Sequence, residues 1–340
     1  MYVLRAQRLR RAGTLDKTRR RPPSLDADSP SWPVEPARRR PDLTTPDCTA
    51  ADWIAADWDA GTLRLWAMRG DQVVDSRASD DGTDGLAGDD FAAVLTRMTE
   101  GWADAPVVAC GTVGAADGLA RIACASVPAT VDPRPVQVPG RRVWIVGGLT
   151  QADPPDLMQG DETRIAGLLA ARPQFDGTLC LPGAQTRWAR ISASEVVSFQ
   201  TFLTGEMFDL LSRQSVLRHA VGTPGDIDAF DAAVSDALSQ PHRAYGRLFQ
   251  LHARAQLGGL QPETAGATLS GTLIGWELAG ARPYWLGQEV CVIGAPARTA
   301  PYARALAQQG VTCTEGDGTA ATLAGLGRAF RAIADAAAAI

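Results

Sequence analysis

Short runs of alternating apolar and polar residues begin just after residue 50 and predict a group of β-strands. A longer stretch with apolar residues at helical spacing follows them, then an apolar run that is typical of a buried strand. The predicted elements are strands Trp53–Trp58, Leu63–Met68 and Gln72–Ser76, a helix over about Phe91–Trp102, strands Val107–Cys110 and Val143–Val146, and a helix from about Glu162 to Ala171. The first half of the chain therefore has the order β-β-β-α-β-α.

The same order begins again at Gly177, now with several additional helices inside it. The predicted elements are strands Thr178–Leu181, Trp188–Ile191 and Glu195–Phe199, helices at about Gly205–Arg218, Ile227–Leu238, Ala244–Leu257 and Glu263–Leu278, strand Glu289–Ile293, helix Thr299–Gln309, strand Val311–Thr314 and a closing helix from about Thr319. We predict an α/β chain of two ribonuclease-H-like domains with a cleft between them, at residues 49–175 and 176–340, the second with a helical insertion.

Residues 1–48 differ from the rest in composition. They are rich in Arg, Pro, Ser and Asp and lack hydrophobic periodicity, which predicts a disordered tail. An Arg-rich, Lys-poor start is also typical of a transit peptide. Its acidic residues, among them Asp16, Asp26 and Glu35, instead favour an inert tail or a start codon placed too far upstream.

Length and charge narrow the class of protein. A chain of 340 residues that is 45% hydrophobic can form two cored domains. Residues 1–45 hold 11 of the 33 basic residues and 5 of the 38 acidic ones, so the remainder is acidic and gives no reason to expect a nucleic acid partner. Lys17 is the only lysine, so in the folded part any basic side chain that binds an anion must be an arginine.

The cysteines and histidines indicate neither a disulfide framework nor a metal site. The six cysteines contain no C-x-x-C pair, and most lie in apolar runs, as expected of small buried residues in a reducing compartment. The three histidines lack metal-ligand spacing. No apolar run approaches the about 18 residues of a membrane span. We expect a cytoplasmic protein with no membrane partner; whether it forms a homo-oligomer is left open.

Three segments carry the candidate chemistry. In the first, a strand ends in Asp57 before a turn at Gly61-Thr62, which offers a carboxylate for a metal and backbone amides for phosphate. In the second, Asp161 and Glu162 supply a candidate base for a sugar hydroxyl. In the third, a strand ends in the turn Pro182-Gly183-Ala184-Gln185. Ordinary structure could also account for them, as a polar hairpin turn or as acidic residues in the first turn of a helix.

The order and spacing of these segments resemble the 2-dehydro-3-deoxygalactonokinase family, within the sugar kinase/Hsp70/actin superfamily. The family's Asp-Trp-Gly-Ser/Thr-Thr-Asn-x-Arg-x-Trp compares with residues 57–66, its Gly-Glu-Glu-Thr with residues 160–163, and its Pro-Gly-Thr-His-x-Lys-Trp with residues 182–188. Downstream, residues 199–206 follow the family's Phe-Arg-Thr-x-x-Thr-Gly-Glu. The resemblance covers about residues 52–336 and implies an actin-like ATPase/sugar kinase fold.

The resemblance implies ATP-dependent phosphorylation of a sugar acid, 2-dehydro-3-deoxy-D-galactonate, at its 6-hydroxyl, with Mg²⁺. Asp161 or Glu162 would be the catalytic base, and Asp57 would hold the metal directly or through water. The residues implied to bind ATP are Asp57, Gly61, Thr62, Gly183, Gly275 and Gly294. Those implied to bind the sugar acid are Arg64, Gly111, Gly114, Arg164, Gln185 and Arg187.

Two of these glycine sites also have simpler interpretations. Gly111 and Gly114 follow a strand in a G-x-x-G turn, a weak signal for a dinucleotide fold that lacks the rest of that fingerprint. Gly275 lies in a helix whose small residues could serve close packing alone. Both interpretations stay open at the level of sequence.

The phosphate turns depart from the family pattern. Asp59 stands where the family has glycine, while Ala60 and Ala184 replace residues with hydroxyl groups. A carboxylate beside the phosphates would oppose nucleotide binding unless a metal intervenes. These departures motivate an alternative hypothesis, a relic that binds a sugar acid or nucleotide without phosphoryl transfer.

Overall fold

A computed structural model describes residues 51–338 of the chain. The predicted tail, residues 1–48, lies outside the described residues. The elements up to residue 171 are strands β1 Trp53–Trp58, β2 Leu63–Arg69 and β3 Gln72–Ser79, helix α1 Asp90–Met98, strands β4 Val107–Cys110, β5 Ala125–Ser126, β6 Ala129–Thr130, β7 Val136–Gln137, β8 Val143–Ile145, β9 Leu149–Ala152 and β10 Pro155–Met158, and helix α2 Asp161–Ala171.

The elements of the second half follow the predicted order closely. They are strands β11 Gly177–Leu181, β12 Thr186–Ser192 and β13 Glu195–Phe202, helices α3 Thr204–Gln214, α4 Ile227–Ser239, α5 Pro241–Gln256, α6 Pro262–Gly280 and α7 Arg282–Trp285, strand β14 Val290–Gly294, helix α8 Pro296–Gln308, strand β15 Cys313–Asp317 and helix α9 Gly318–Ala338. Short 3₁₀ turns lie at Thr112–Gly114 and Val216–His219.

Two six-stranded sheets share the same topology at their centres. The first has the order β3-β2-β1-β4-β8-β7, and the second has β15-β14-β11-β12-β13-β6. In each, the first strand of a three-stranded antiparallel meander pairs parallel with a later strand, and that strand pairs parallel with the next one. A small third sheet has the order β10-β9-β5. The predicted fold of two ribonuclease-H-like halves is confirmed.

The helices that cover the sheets are partly exchanged between the halves. On the second sheet, α2 contributes Ile165 and Leu169 to a core with Leu179 and Ile191. On the first sheet, the closing helix α9 contributes Leu326, Ala329 and Phe330 to a core with Trp53 and Val108. The predicted boundary near residue 175 stays a prediction, because α2 of the first half packs on the second sheet and α9 of the second half packs on the first sheet.

Helices α2 and α9 cross at close range in the middle of the molecule. A Cβ atom built on Gly167 would lie 1.9 Å from the carbonyl oxygen of Ala321, and one on Gly325 would lie 2.0 Å from that of Thr163. Only glycine permits this approach without a shift of one helix. Because Thr163 is in the first turn of α2, the crossing fixes the position of the residues that begin this helix.

Helices α3 to α7, between β13 and β14, form the predicted insertion. Helices α4 and α6 pack on the outer face of the second sheet together with α8. Helices α3 and α5 extend this layer around a small core that includes Leu217, Leu251, Leu269 and Leu273. No helix in the described part of the chain combines the length and apolar character that crossing a membrane requires.

Candidate functional site

The loops that follow β1 and β4 meet the start of α2 at one end of the first sheet. Strand β1 pairs parallel with β4, so Asp57 lies beside Cys110. Gly111 and Gly160 both have φ of +106°, a conformation that glycine adopts without strain. A Cβ atom on Gly160 would lie 3.2 Å from the Cα atom of Gly111. The two loops are therefore in contact, which brings Asp57 and the start of α2 into one site.

Five charged side chains form a continuous chain of ion pairs through this site, which we call the ion-pair chain: Arg64, Asp57, Arg164, Asp161 and Arg187. Asp57 accepts from Arg64 in a very short contact and from Arg164 at 3.3 Å. Asp161 accepts from Arg164 at 2.5 Å and from Arg187 at 2.7 Å. Both carboxylates are buried, at 2% and 4% exposed. The ion-pair chain runs from the first sheet across α2 to β12 of the second sheet.

Asp59 places a further carboxylate in the site. Its Oδ1 would lie 2.7 Å from a Cβ atom built on Gly111 and 3.4 Å from one on Gly160, so it points to the junction of the two loops. Burial raises the pKa of Asp59 to about 7, and the charges of Asp57 and Asp161 add to that effect. Asp59 therefore faces the site from its turn.

The two adjacent acids at the start of α2 have different surroundings. Asp161 is bound by two guanidinium groups. Glu162 accepts hydrogen bonds from the backbone N–H of Gly160 at 2.7 Å and from the Thr163 hydroxyl at 3.1 Å. Burial raises the pKa of Glu162 to about 8, and the charge of Asp161 adds to this. Glu162 thus closes the first turn of the helix, and Asp161 is the acid that faces the arginines.

The turn between β1 and β2 presents backbone amides. The N–H of Asp59 donates to the carbonyl of Thr62 at 2.9 Å and closes the turn. Among the described residues, the N–H groups of Ala60 and Gly61 donate to no other backbone group. The carbonyl of Ala60 accepts from Asp84, which holds the turn from its other side. Gly61 and Thr62 lie at the tip of a turn with amides available to an anion.

The turn between β11 and β12 lies against the start of α3. A Cβ atom on Gly205 would meet the carbonyl oxygen of Gly183 at 2.1 Å, and Ala184 accepts from the N–H of Glu206 at 2.7 Å. At the end of the turn, Gln185 accepts from Arg187 Nη2 at 2.9 Å. This second turn therefore joins the N-terminal end of a helix to the last arginine of the ion-pair chain.

A cavity of about 330 Å³ opens beside the second turn. Its walls come from the turn at Gly183, the start of α3, the middle of α6, Ala295 after β14 and the first turn of α8 with Arg298. Gly294 lies behind this wall, where a Cβ atom would lie 3.7 Å from the carbonyl oxygen of Pro182. A volume of this size is at the small end of ligand pockets.

Two of the glycines predicted as site residues have packing contacts. A Cβ atom on Gly275 would lie 2.6 Å from the carbonyl oxygen of Val234, because α6 and α4 pack closely there. Gly114 is buried, and a Cβ atom on it would lie 3.0 Å from Ile145. Close packing accounts for both glycines. Their predicted ligand contacts stay predictions.

The acidic residues at the site fit a Mg²⁺ ion that arrives with a nucleotide. Among residues 51–338, no set of three or more His, Cys, Asp or Glu side chains is arranged to hold a metal alone. Mg²⁺ at phosphate sites is usually held by one or two carboxylates, with phosphate and water as the other ligands. Asp57 and Asp59 lie at the first turn. A cation there would reduce the repulsion between the carboxylate of Asp59 and the carboxylates beside it.

Sequence reasoning missed several groups that hold the site together. Cys110 donates weakly to Asp57 over 3.9 Å, and its burial and the nearby carboxylates raise the pKa of its thiol, which keeps it protonated. The Thr83 and Thr112 hydroxyls are 2.7 Å apart. They link the loop after β3, which contains Thr83, to the loop after β4. Thr322 of α9 accepts from Arg164 at 3.2 Å. Only the position of Cys110 at a strand end gave a sequence signal.

Comparisons with known proteins agree on one family. The model of the family described as 2-keto-3-deoxy-galactonokinase matches residues 57–329. The chain is 34% identical over 293 residues to the probable 2-dehydro-3-deoxygalactonokinase of Rhizobium meliloti (strain 1021), covering 81% of this chain and 96% of that one. It is 33% identical over 283 residues to the 2-dehydro-3-deoxygalactonokinase of Escherichia coli (strain K12), covering 80% and 95%.

A solved structure gives the same result for the fold. A crystal structure of a protein from Sinorhizobium meliloti, described with the same enzyme name, superposes with a TM-score of 0.72 at 33% identity. The match covers 83% of this chain and 99% of that one.

Proposed function

The chain belongs to the 2-keto-3-deoxy-galactonokinase family, and from this premise we propose that it transfers the γ-phosphoryl group of ATP to the 6-hydroxyl of 2-dehydro-3-deoxy-D-galactonate. The observation that supports this most directly is the buried Asp161 at the junction of the two halves, bound by arginines from α2 and β12. It lies between two turns that suit phosphate. A sugar hydroxyl and a triphosphate can meet at this point.

Asp161 is our candidate for the base that orients or deprotonates the 6-hydroxyl. Its two oxygens contact the guanidinium groups of Arg164 and Arg187, which hold the carboxylate in place at the junction of the two halves. Glu162 is less suited to this role, because its oxygens are occupied by Gly160 and Thr163 and the raised pKa of its carboxyl favours the neutral acid at neutral pH.

The nucleotide would lie across the two turns, with its base in the cavity beside Gly183. The amides of Ala60 and Gly61 and the start of α3 suit phosphate oxygens. Mg²⁺, held by Asp57 together with phosphate, would supply charge neutralisation for the phosphates. Phosphoryl transfer depends mainly on position and charge, so the residues that fix these turns matter as much as the base.

Arg64 is the best placed of the predicted arginines for the substrate carboxylate. Its side chain is 38% exposed and forms one ion pair, with Asp57. Arg164 and Arg187 instead contact Asp161 directly and would lie at the hydroxyl that is phosphorylated. The carboxylate is at the opposite end of the six-carbon chain, where a partly exposed guanidinium can form a two-point contact.

We also place the reaction in the cytoplasm, because it consumes ATP and the described cysteines are all free thiols. The small-molecule partners are then ATP and the sugar acid. A homo-oligomer stays an open part of this proposal.

A coupled assay of ADP release, with and without 2-dehydro-3-deoxy-D-galactonate, tests the proposed function. We expect turnover that depends on the sugar acid, and a loss of about 10²- to 10⁴-fold in kcat for Asp161→Asn. Binding of ATP, measured by calorimetry, should change little in this variant. Asp231→Asn is the matched control, since Asp231 is ion-paired with Arg304 on the outer helices. Nucleotide binding without sugar-dependent turnover in the native enzyme would favour the relic hypothesis instead.

A further inference from the structure

Arg187 has a buried hydrogen-bond donor without a partner. Its Nη1 donates to Asp161 at 2.7 Å and its Nη2 donates to Gln185 at 2.9 Å. Its Nε is buried and has no acceptor among the described residues. An unsatisfied buried donor costs about 1–3 kcal/mol. The guanidinium of Arg187 can therefore donate one further hydrogen bond, from its Nε.

The other two arginines of the ion-pair chain differ in this respect. Each of the three nitrogens of Arg164 has an acceptor, on Thr322, Asp161 and Asp57. Arg64 is partly exposed and lies over the ring of Trp66 at 5.7 Å. Arg164 thus serves as a fixed link between Asp57 and Asp161. Within the ion-pair chain, Arg187 is the arginine that has a buried donor without an acceptor.

The position of Arg187 identifies the chemistry of the missing acceptor. It lies at the start of β12, two residues after Gln185 of the second turn, and it contacts Asp161. A guanidinium favours a carboxylate or phosphate oxygen as its acceptor. Under the proposed function, the anion that lies between the phosphate turn and the base is the phosphoryl group in transfer. The substrate carboxylate is too far along the sugar chain from the base to be the same group.

We propose that Arg187 is a catalytic residue that binds an oxygen of the transferred phosphoryl group and stabilises its charge in the transition state. In this step the bond from the γ-phosphorus to the bridging oxygen breaks, and ADP leaves with the electron pair. The 6-oxygen of the sugar acid forms the new bond to phosphorus, and its proton passes to Asp161. Arg187 contacts both the base and the migrating group. This inference rests on the proposed function.

Steady-state kinetics separate this role from substrate binding. Arg187→Gln should lower kcat by about 10²- to 10³-fold, with KM for the sugar acid changed less than about threefold. Arg187→Lys keeps the charge but loses the fork, so it should retain part of the rate. Guanidinium ion added to Arg187→Ala should restore some activity. Arg190→Gln is the matched control, because Arg190 lies on the same strand and pairs with Asp176.

Two results would overturn the proposal. One is a KM for the sugar acid that rises more than about tenfold while kcat is unchanged, which would assign Arg187 to the substrate carboxylate. The other is an equal loss of kcat in Arg187→Gln and Arg190→Gln, which would indicate a structural role. Should Arg187→Gln unfold, the same comparison is made with Arg187→Lys.

A binding measurement keeps the test independent of sugar turnover. ADP with aluminium fluoride imitates a phosphoryl group in transfer, and it should raise the melting temperature of the native enzyme and of Arg190→Gln. The rise should be lost in Arg187→Gln, while the rise with ADP alone should persist. If the native enzyme turns over no sugar acid, the proposed function fails, yet this difference would still support Arg187. No rise in the native enzyme, or the same rise in Arg187→Gln, would overturn the inference.

Discussion

Asp59 is the residue at which this site departs most from the family pattern, and its side chain points into the site. A carboxylate at this position has two possible arrangements, one that faces the phosphates and one that turns away from them behind Gly61-Thr62. The structure places its Oδ1 at the junction of Gly111 and Gly160, beside Asp57 and Asp161. A negative charge here opposes the approach of a triphosphate unless Mg²⁺ lies between them.

We expect Asp59→Gly to tighten ATP binding or raise kcat, because it removes this charge and lets the backbone approach phosphate. Asp59→Asn should give part of the gain, since it removes the charge but keeps the side-chain volume. Calorimetric titration with ATP, with and without Mg²⁺, measures the effect. Loss of Mg²⁺-dependent binding in both variants would contradict the repulsion hypothesis and identify Asp59 as a metal-binding residue.

At the scale of elements, most strands and helices could be predicted because each carries a clear pattern. Strand β1 is buried throughout and was predicted with its observed bounds, as was β4. Helix α1 was predicted to extend to Trp102 but ends at Met98, ahead of Gly101 with φ of +79°. The hairpin of β9 and β10 was missed, since its strands have four residues each and combine a buried Gln151 with an exposed Leu157, which hides the usual alternation.

The site could be predicted only in part, for a related reason. Asp57 and Asp161 end or begin elements, so their places followed from the element order. The pairing of Arg64, Arg164 and Arg187 with them depends on contacts between distant segments, which no local pattern encodes. The exchange of α2 and α9 between the sheets was missed on the same grounds.

Glu277 provides a test of how the elements of the second half are joined. On α6, it accepts from Trp188 of β12 at 2.7 Å and from Tyr302 of α8 at 2.8 Å. Burial raises the pKa of Glu277 to about 7 from an ordinary value of 4.5. The unfolded chain therefore releases this proton at lower pH than the folded protein does. Its contribution to stability is full below about pH 4.5 and is lost as pH rises through about 7.

We expect Glu277→Gln to remove this pH dependence. Urea unfolding at pH 5, 6, 7 and 8 should show that the native protein loses stability relative to the variant as pH rises to about 7, with no further change above it. The difference between the two proteins isolates Glu277, because other buried acids such as Glu162 are present in both. Parallel pH profiles would show that Glu277 does not titrate in this range.

At the scale of the whole molecule, the crossing of α2 and α9 joins the two halves to the site. The carbonyl oxygen of Thr163, two residues after Asp161, lies at one of the two close approaches between α2 and α9. Arg164 in the same turn bonds to Thr322 of α9. Any shift of α9 relative to α2 therefore moves the candidate base with respect to the first turn on β1. The crossing of α2 and α9 therefore links the stability of the molecule to the geometry of its site.

Gly325→Ala should lower both the stability of the fold and the activity of the site. The added methyl group would lie 2.0 Å from the carbonyl oxygen of Thr163, so one helix must shift, at a cost of about 1–3 kcal/mol. We expect a lower free energy of unfolding and, because Asp161 moves with the start of α2, a fall in kcat of up to about 10²-fold. Urea unfolding and the coupled ADP assay measure the two effects.

Gly327→Ala is the matched control in the same helix. A Cβ atom there would lie 3.4 Å from a carboxylate oxygen of Asp71, an ordinary contact with the end of a mobile side chain. Alanine is favoured over glycine inside a helix by about 1 kcal/mol, so this variant should be as stable as the native protein or more so. If Gly325→Ala were equally stable but inactive, the crossing would position the base without supporting the fold. If it were equally stable and fully active, α2 and α9 would not couple the halves at this contact.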